Sequence, residues 1–220
     1  MARGSSVQDV TKGRRKVPRA VRERQMLAVA ERAFAERGFH AASVDAIAEG
    51  AGISKPMVYA YFGSKEGLYR ACMAAARERL FDTLRREVDQ SAPPDQQLWR
   101  GVLAFFTFVR DERASWSILL GEVTATGPFA AEGAEVRREA GALIETLLRR
   151  VAEDEGLDPV AMELIEPIAR ALIGSAEALA GWWSEHPEHP VERVALTLMN
   201  LAWNGLGDLV RGRRWLPSGS

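Results

Sequence analysis

Cysteine is almost absent. The 220-residue chain carries Cys72 alone, which excludes an intramolecular disulfide and any cysteine-based zinc site. That thiol sits on an alanine-rich helical face, reads as a small buried hydrophobe, and fits reducing, cytoplasmic surroundings. Histidine is nearly as scarce. His40 lies in a short loop, and His186 and His189 share the stretch EHPEHP, where Pro187 and Pro190 prevent an i, i+3 pair of ligands on a helix. That stretch reads as a solvated connection, and no metal is expected. Long hydrophobic runs are missing too. Val102–Val109 falls far short of the ~20 apolar residues of a membrane span, and Met1–Val17 lacks the apolar core of a signal peptide. There is no phosphate-cradling glycine loop, no G-x-S-x-G and no dinucleotide fingerprint, so neither a cofactor nor an enzymatic activity is expected. No segment alternates apolar and polar residues with the period of a strand. What is left is an all-α chain of about nine helices, long enough to bury a core.

Charge is near neutral overall but unevenly spread. Residues 1–70 hold 13 Lys/Arg against 7 Asp/Glu, a net +6, whereas the remainder holds 16 against 23, a net −7. A basic N-terminal part on an acidic body suits contact with phosphates. Residues 1–18, with Arg3, Lys12, Arg14, Arg15 and Lys16 among Gly, Ser and Pro, have almost nothing to bury and read as a disordered basic arm. That arm is either a phosphate-contacting extension or simply a solvated tail.

The chain is organised around Ser43–Leu68, SVDAIAEGAGISKPMVYAYFGSKEGL. Ser43 is placed to cap a helix whose apolar stripe is Val44, Ile47, Ala48 and Ala51. Gly52 stands where the backbone turns. Ser54 is placed to cap a second helix, with Pro56 in its first turn where no hydrogen bond is lost. Val58, Tyr61 and Phe62 are expected to face inward, and Lys55, Met57, Tyr59 and Ala60 outward. Gly63 ends that helix, Ser64 caps the next, and Lys65 occupies its first turn. A cation there runs against the helix dipole unless a phosphate comes to the same place. Two helices and a tight turn form a helix-turn-helix, whose second helix enters the DNA major groove. Upstream, Arg19–Arg37 is an amphipathic helix with Met26, Leu27, Ala30, Ala33 and Phe34 on one side and Gly38 as its stop. Arg22 and Arg24, near its start, are placed to touch the DNA backbone.

The elements Ile47-Ala48, Ala51-Gly52-Ile53-Ser54, Val58-Tyr59, Tyr61-Phe62 and Lys65 with Leu68, together with Phe34 and Gly38-Phe39, resemble the N-terminal signature of the TetR-type bacterial repressors. Pro56-Met57 departs from that pattern, where many members carry small or polar residues ending in Thr. The resemblance covers roughly residues 20–70. It implies a helix-turn-helix DNA-binding domain, residues 19–64, on a helical ligand-binding and dimerisation domain, residues 65–220. It also implies a double-stranded operator as partner, a small-molecule effector and a homodimer formed through the last two long helices. On this reading Lys55, Met57 and Tyr59 read bases, Met57 through thymine methyls, while Tyr59, Tyr61, Lys65 and Ser43 fix register on phosphates and Ser54 belongs to the same interface.

The rest of the chain stays helical: to about Gln90, then Asp95–Asp111, Ser115–Thr124, Phe129–Glu155, Asp158–Glu185 with a kink near Pro167, and a last helix to about Gly212. In the C-terminal pair, Ile168, Leu172, Ala176 and Leu179 form one row and Ile165, Ala169, Ile173 and Ala180 a second. Val194, Leu198, Leu201 and Trp203 alternate with Leu196, Met199, Ala202 and Leu206. One row per helix is available to face a second copy, closing a four-helix bundle; a single buried pair in a monomer is the alternative. The aromatic-rich body suits an apolar effector pocket, with Trp99, Phe106, Trp116, Glu177, Asn200 and Trp203 as candidates. Glu177 is equally placed to be a partner across the dimer interface. A helical small-molecule-binding or scaffold protein that does not depend on DNA is the alternative function.

Overall fold

The first helix is interrupted where the sequence stops it. In the computed structural model, which describes residues 18–120, 127–154 and 162–210, α1 spans Arg19–Ala41, but Gly38 at φ 72° and ψ 168° breaks its helical path and turns Phe39 into the core. α2 (Val44–Gly50), α3 (Lys55–Phe62), α4 (Lys65–Glu87), α5 (Pro94–Asp111), α6 (Arg113–Leu120), α7 (Ala130–Asp154), α8 (Ile165–Glu185) and α9 (Val191–Val210) follow. Among the described residues there are nine helices and no strand. Of the expectations above, the basic arm up to residue 17, the cap at Asp158 and the stops at Gly156 and Gly212 lie outside those residues.

The head packs around Ala30, Phe34, Phe39, Val44, Ile47, Ala48 and Val58, all buried. Its core is not closed by α1–α3 alone. Leu68, Tyr69, Cys72 and Met73 of α4 belong to the same cluster, as do Ile118 of α6 and Phe129 just before α7. Phe129 meets Tyr69 at 4.4 Å and Phe39 at 5.0 Å between ring centroids, with the Arg70 guanidinium 5.2 Å from the centre of its ring. Aromatic pairs at such distances add to the area they bury, so head and body are joined through an apolar seam.

The body is a bundle in which α5 packs on α9 and α7 on α8. Phe106, with no exposed surface, sits among Leu98, Val102, Leu147, Leu172, Trp183 and Leu198. The helical path is interrupted just before Pro167: residues 162 and 163 are helical and Leu164 is a turn. α8 begins at Ile165, with Leu164 at its N-cap, and this places Pro167 in the first turn, where a backbone N–H has no intrahelical partner anyway.

The outer face of the C-terminal pair differs from the expected second apolar row. Both rows of α8 are buried or half-buried. What faces out is a strip of small residues, Ala171, Gly174, Ala178 and Gly181, beside Trp182. On α9 the outer face carries Leu196, Thr197, Asn200 and Leu201; Leu201 is 68% and Leu196 47% exposed. The inner contacts consume more of α8 than a two-row pattern allots, because α5, α7 and α9 all reach it.

Candidate nucleic-acid interface and effector cavity

The turn between α2 and α3 is built from backbone hydrogen bonds. Ile53 N–H donates to the Ala48 carbonyl and Gly52 N–H to the Glu49 carbonyl, both at 3.0 Å, the paired closure of a helix C-terminus that needs a left-handed residue. Gly52 supplies it at φ 66°, which costs glycine alone no steric penalty. The start of α2 is fixed by Ser43, whose hydroxyl accepts from Ala46 N–H at 3.5 Å. Ser54 is at the N-cap of α3, as its sequence position suggests, but its side chain makes no capping bond; its carbonyl accepts from Met57 and Val58 N–H instead. The exposed Ser54 hydroxyl is therefore not committed to the helix.

On α3, Val58 is buried and Tyr61 and Phe62 are half-buried, while Lys55, Tyr59 and Ala60 are exposed, as their spacing requires. Met57 differs from its expected outward position. It is half-buried, with its sulfur 3.8 Å from Arg22 Nη1, because the first turns of α1 lie against α3. Arg19 stands over the Tyr61 ring at 5.0 Å from its centroid. Lys55 Nζ donates to Asp45 Oδ2 at 2.8 Å, which holds the ammonium pKa above its usual value. Arg24 turns away from this face and lines a cleft toward the body.

Ser64 caps α4 by accepting from Gly67 N–H at 3.0 Å. Gly67 was not singled out by the sequence, yet a Cβ there would lie 2.0 Å from the Phe62 carbonyl oxygen. The last turn of α3 rests directly on the first turn of α4. Lys65 has a protein partner: its ammonium donates to the His40 carbonyl at 3.0 Å and lies 5.0 Å from the centre of the Phe39 ring. The cation thus serves the C-terminal end of α1, where positive charge is favourable. Ammonium has three donors, so two remain for a phosphate.

The six pocket candidates are not brought together. Trp116 lines a cavity of about 310 Å³ with Val109, Arg110, Arg113, Ser117, Trp183 and Ser184. Phe106 is wholly inside the core, and Trp99 and Trp203 pack half-buried against it. Glu177 binds Arg137 Nε through both carboxylate oxygens, at 2.9 and 3.2 Å, across α7 and α8 of the same chain. Asn200 is exposed on the outer face of α9, since the polar position in that row looks away from the bundle rather than into it. Arg110, Ser117 and Ser184 were missed by a sequence reading that followed aromatic residues. The His186 ring stacks on Trp182 at 4.6 Å and the His189 ring lies tilted beside it at 5.1 Å, and among the described residues no three His, Cys, Asp or Glu side chains gather as metal ligands.

Burial also acts on a phenol of the head–body seam. Tyr69 donates its hydroxyl to the Ile118 carbonyl at 3.3 Å, and burial pushes its phenol up to about 12. The neutral form is favoured in the folded chain. Its contribution is therefore complete below the ordinary tyrosine pKa near 10 and is lost as pH rises toward 12. In a tyrosinate absorbance titration, Tyr69→Phe should remove the last-ionising phenol and leave the earlier steps in place. An unchanged late step would show that Tyr69 is not the group held neutral.

A helix-turn-helix with an exposed second helix, mounted by an apolar seam on a helical bundle, is the architecture of a DNA-binding regulator. The chain belongs to the tetR family of bacterial regulatory proteins: residues 26–72 match the model of that family, and residues 94–205 match that of the Tetracyclin repressor-like, C-terminal domain. It is similar to the HTH-type transcriptional activator FasR of Mycolicibacterium smegmatis, 28% identical over 196 residues that cover 88% of this chain and 87% of FasR. The HTH-type transcriptional regulator EthR of Mycobacterium tuberculosis is 28% identical over 190 residues, 82% of this chain and 84% of EthR. The crystal structure of a TetR-like transcriptional regulator from Rhodococcus sp. RHA1 superposes with a TM-score of 0.73 at 37% identity, covering 87% of this chain and 99% of that one. No helix among the described residues is long and apolar enough to cross a membrane.

Proposed function

We propose that the chain acts as a homodimeric repressor that binds a pseudo-palindromic operator and is released by a small-molecule effector. The observation that carries this reading is the exposed α3 face, Lys55, Tyr59 and Ala60, held between a hydrogen-bonded turn and the capped start of α4. Residues 19–64 are the DNA-reading unit and residues 65–220 the ligand-binding and dimerisation unit. Lys55 and Tyr59 read base edges, with Met57 at the rim of the contact, while Ser43, Ser54, Tyr61 and Lys65 reach phosphates. Lys55 exchanges Asp45 for DNA at small cost, because both partners of the pair are exposed and solvent screens their attraction.

The outer strip of α8 and the exposed leucines of α9 face a second copy. Gly174 and Gly181 have open space where a Cβ would stand, so two α8 helices can approach closely. The two α3 helices then enter successive major grooves about 34–36 Å apart. The effector binds in the cavity of Trp116, where Trp183 and Val109 offer an apolar wall and Arg110, Arg113, Ser117 and Ser184 offer polar groups. Occupancy favours a head spacing that no longer matches DNA, a population shift driven by differential affinity.

Fluorescence anisotropy against duplex DNA at several salt concentrations tests the role of Lys65. Lys65→Ala should weaken binding to all sequences alike and flatten the salt slope by about one. A loss confined to one sequence would assign Lys65 to base readout, against this proposal.

A further inference from the structure

Where α1 crosses the α5–α6 corner, a second cavity of about 420 Å³ opens among Leu27, Glu31, Arg32, Arg79, Glu112 and Arg113, with Arg24 at its rim. It is separate from the cavity of Trp116, although Arg113 stands between the two. Its floor is a polar cluster in which Glu31 and Ser115 are buried while Arg79 and Glu112 are partly exposed. Arg79 Nη2 donates to Glu31 Oε2 at 2.6 Å and to the Ser115 hydroxyl at 2.7 Å, and Ser115 donates to Glu112 Oε2 at 3.1 Å. Glu31 is only 7% exposed, yet its Oε1 has no hydrogen-bond partner, and neither does the buried Nε of Arg79. Arg79 Nε has Glu112 Oε2 near it only at 3.6 Å, beyond hydrogen-bond reach, so an acceptor and a donor on the two halves of one ion pair are left unsatisfied, which is costly. A single hydroxyl answers both, because it donates and accepts at once.

The rim supplies charge. Arg24, Arg32 and Arg113 form neither an ion pair nor a side-chain hydrogen bond among the described residues. The acids beside them are engaged elsewhere: Asp111 with Arg110, Glu31 and Glu112 with Arg79. Unpaired guanidinium groups are suited to carboxylate or phosphate.

We propose that this cavity is a second ligand site, for a small dianion that also carries a hydroxyl, with its charge on the arginine rim and its hydroxyl between Glu31 Oε1 and Arg79 Nε. Such a ligand ties α1 of the head to the α5–α6 corner of the body, so its binding and operator binding change each other's affinity by one common factor. The site stands on its own geometry and does not depend on the effector cavity proposed above.

Isothermal titration calorimetry of the full chain tests it with three probes: L-malate, its deoxy counterpart succinate, and glycerol 3-phosphate. Malate and glycerol 3-phosphate should bind, and succinate should bind at least about tenfold more weakly, since the two orphan groups stay unpaired beside it. In the exposed double variant Arg24→Ala, Arg32→Ala, malate affinity should fall by about tenfold or more while the thermal midpoint holds. These two positions lie outside the polar cluster, so the fold is retained. Absence of heat from both malate and glycerol 3-phosphate overturns the proposal. So does equal affinity for succinate, which would mean that water fills the orphan positions, and so does full binding by the double variant, which would place the anion elsewhere.

Discussion

Gly67→Ala should abolish specific DNA binding although residue 67 touches no base. Its Cβ would stand 2.0 Å from the Phe62 oxygen and 3.2 Å from the Phe62 carbonyl carbon. Both are backbone atoms at the end of α3, so no side chain can swing aside to make room. The backbone must move instead, and it can do so only by pushing the recognition helix off its seat or by unwinding the first turn of α4, where Ser64 caps Gly67 N–H. Overpacking of this kind costs about 1–3 kcal/mol and occasionally more. An operator affinity loss of about a hundredfold or greater is expected, with a lower unfolding midpoint. Gly101→Ala is the control. Its Cβ would meet Val88 at an ordinary 3.6 Å, and an alanine inside α5 should stabilise the fold by about 0.5–1 kcal/mol. If Gly67→Ala binds DNA like the parent chain, α3 is not held by the start of α4 in the way described.

The second large effect concerns assembly. Ala178 is exposed midway along the small-residue strip of α8. Ala178→Arg places a bulky cation where two helices are proposed to meet, while leaving the inner face, with Ala169, Leu172, Ala180 and Trp183, untouched. The variant should remain helical and become monomeric by light scattering. Operator affinity should then drop by about 10²–10⁴, the range gained when two linked heads bind together. A variant that stays dimeric would put the interface on another face.

How far the sequence discloses this arrangement follows from the range of the interactions involved. The caps at Ser43 and Ser64, the turn at Gly52 and the burial of Val58 are legible because each depends on residues within one or two turns. Periodicity likewise places the helices of the body. It misassigns the outer face of α8, since both apolar rows are taken up by three neighbouring helices that no local pattern announces. Gly67 goes unnoticed because its constraint is the carbonyl of Phe62 on another helix. The Glu31–Arg79–Ser115 cluster draws on positions up to 84 residues apart. Lys65 shows both sides of this limit. Its place against the helix dipole is visible locally, but the His40 carbonyl that accepts it comes from α1. The effector candidates fare worst: Asn200 and Glu177 are polar within apolar rows, yet one faces out and the other is bound to Arg137.

The central claim is that two copies of α3 read a symmetric site. The most direct test is selection of bound duplexes from a random pool by the full chain, followed by sequencing. The account predicts enrichment of a two-fold-symmetric sequence whose half-sites are centred about one helical turn or a multiple of it apart. Salt-sensitive retention of DNA with no enriched sequence would contradict it, and would leave the basic charge of the N-terminal part as a non-specific phosphate contact only.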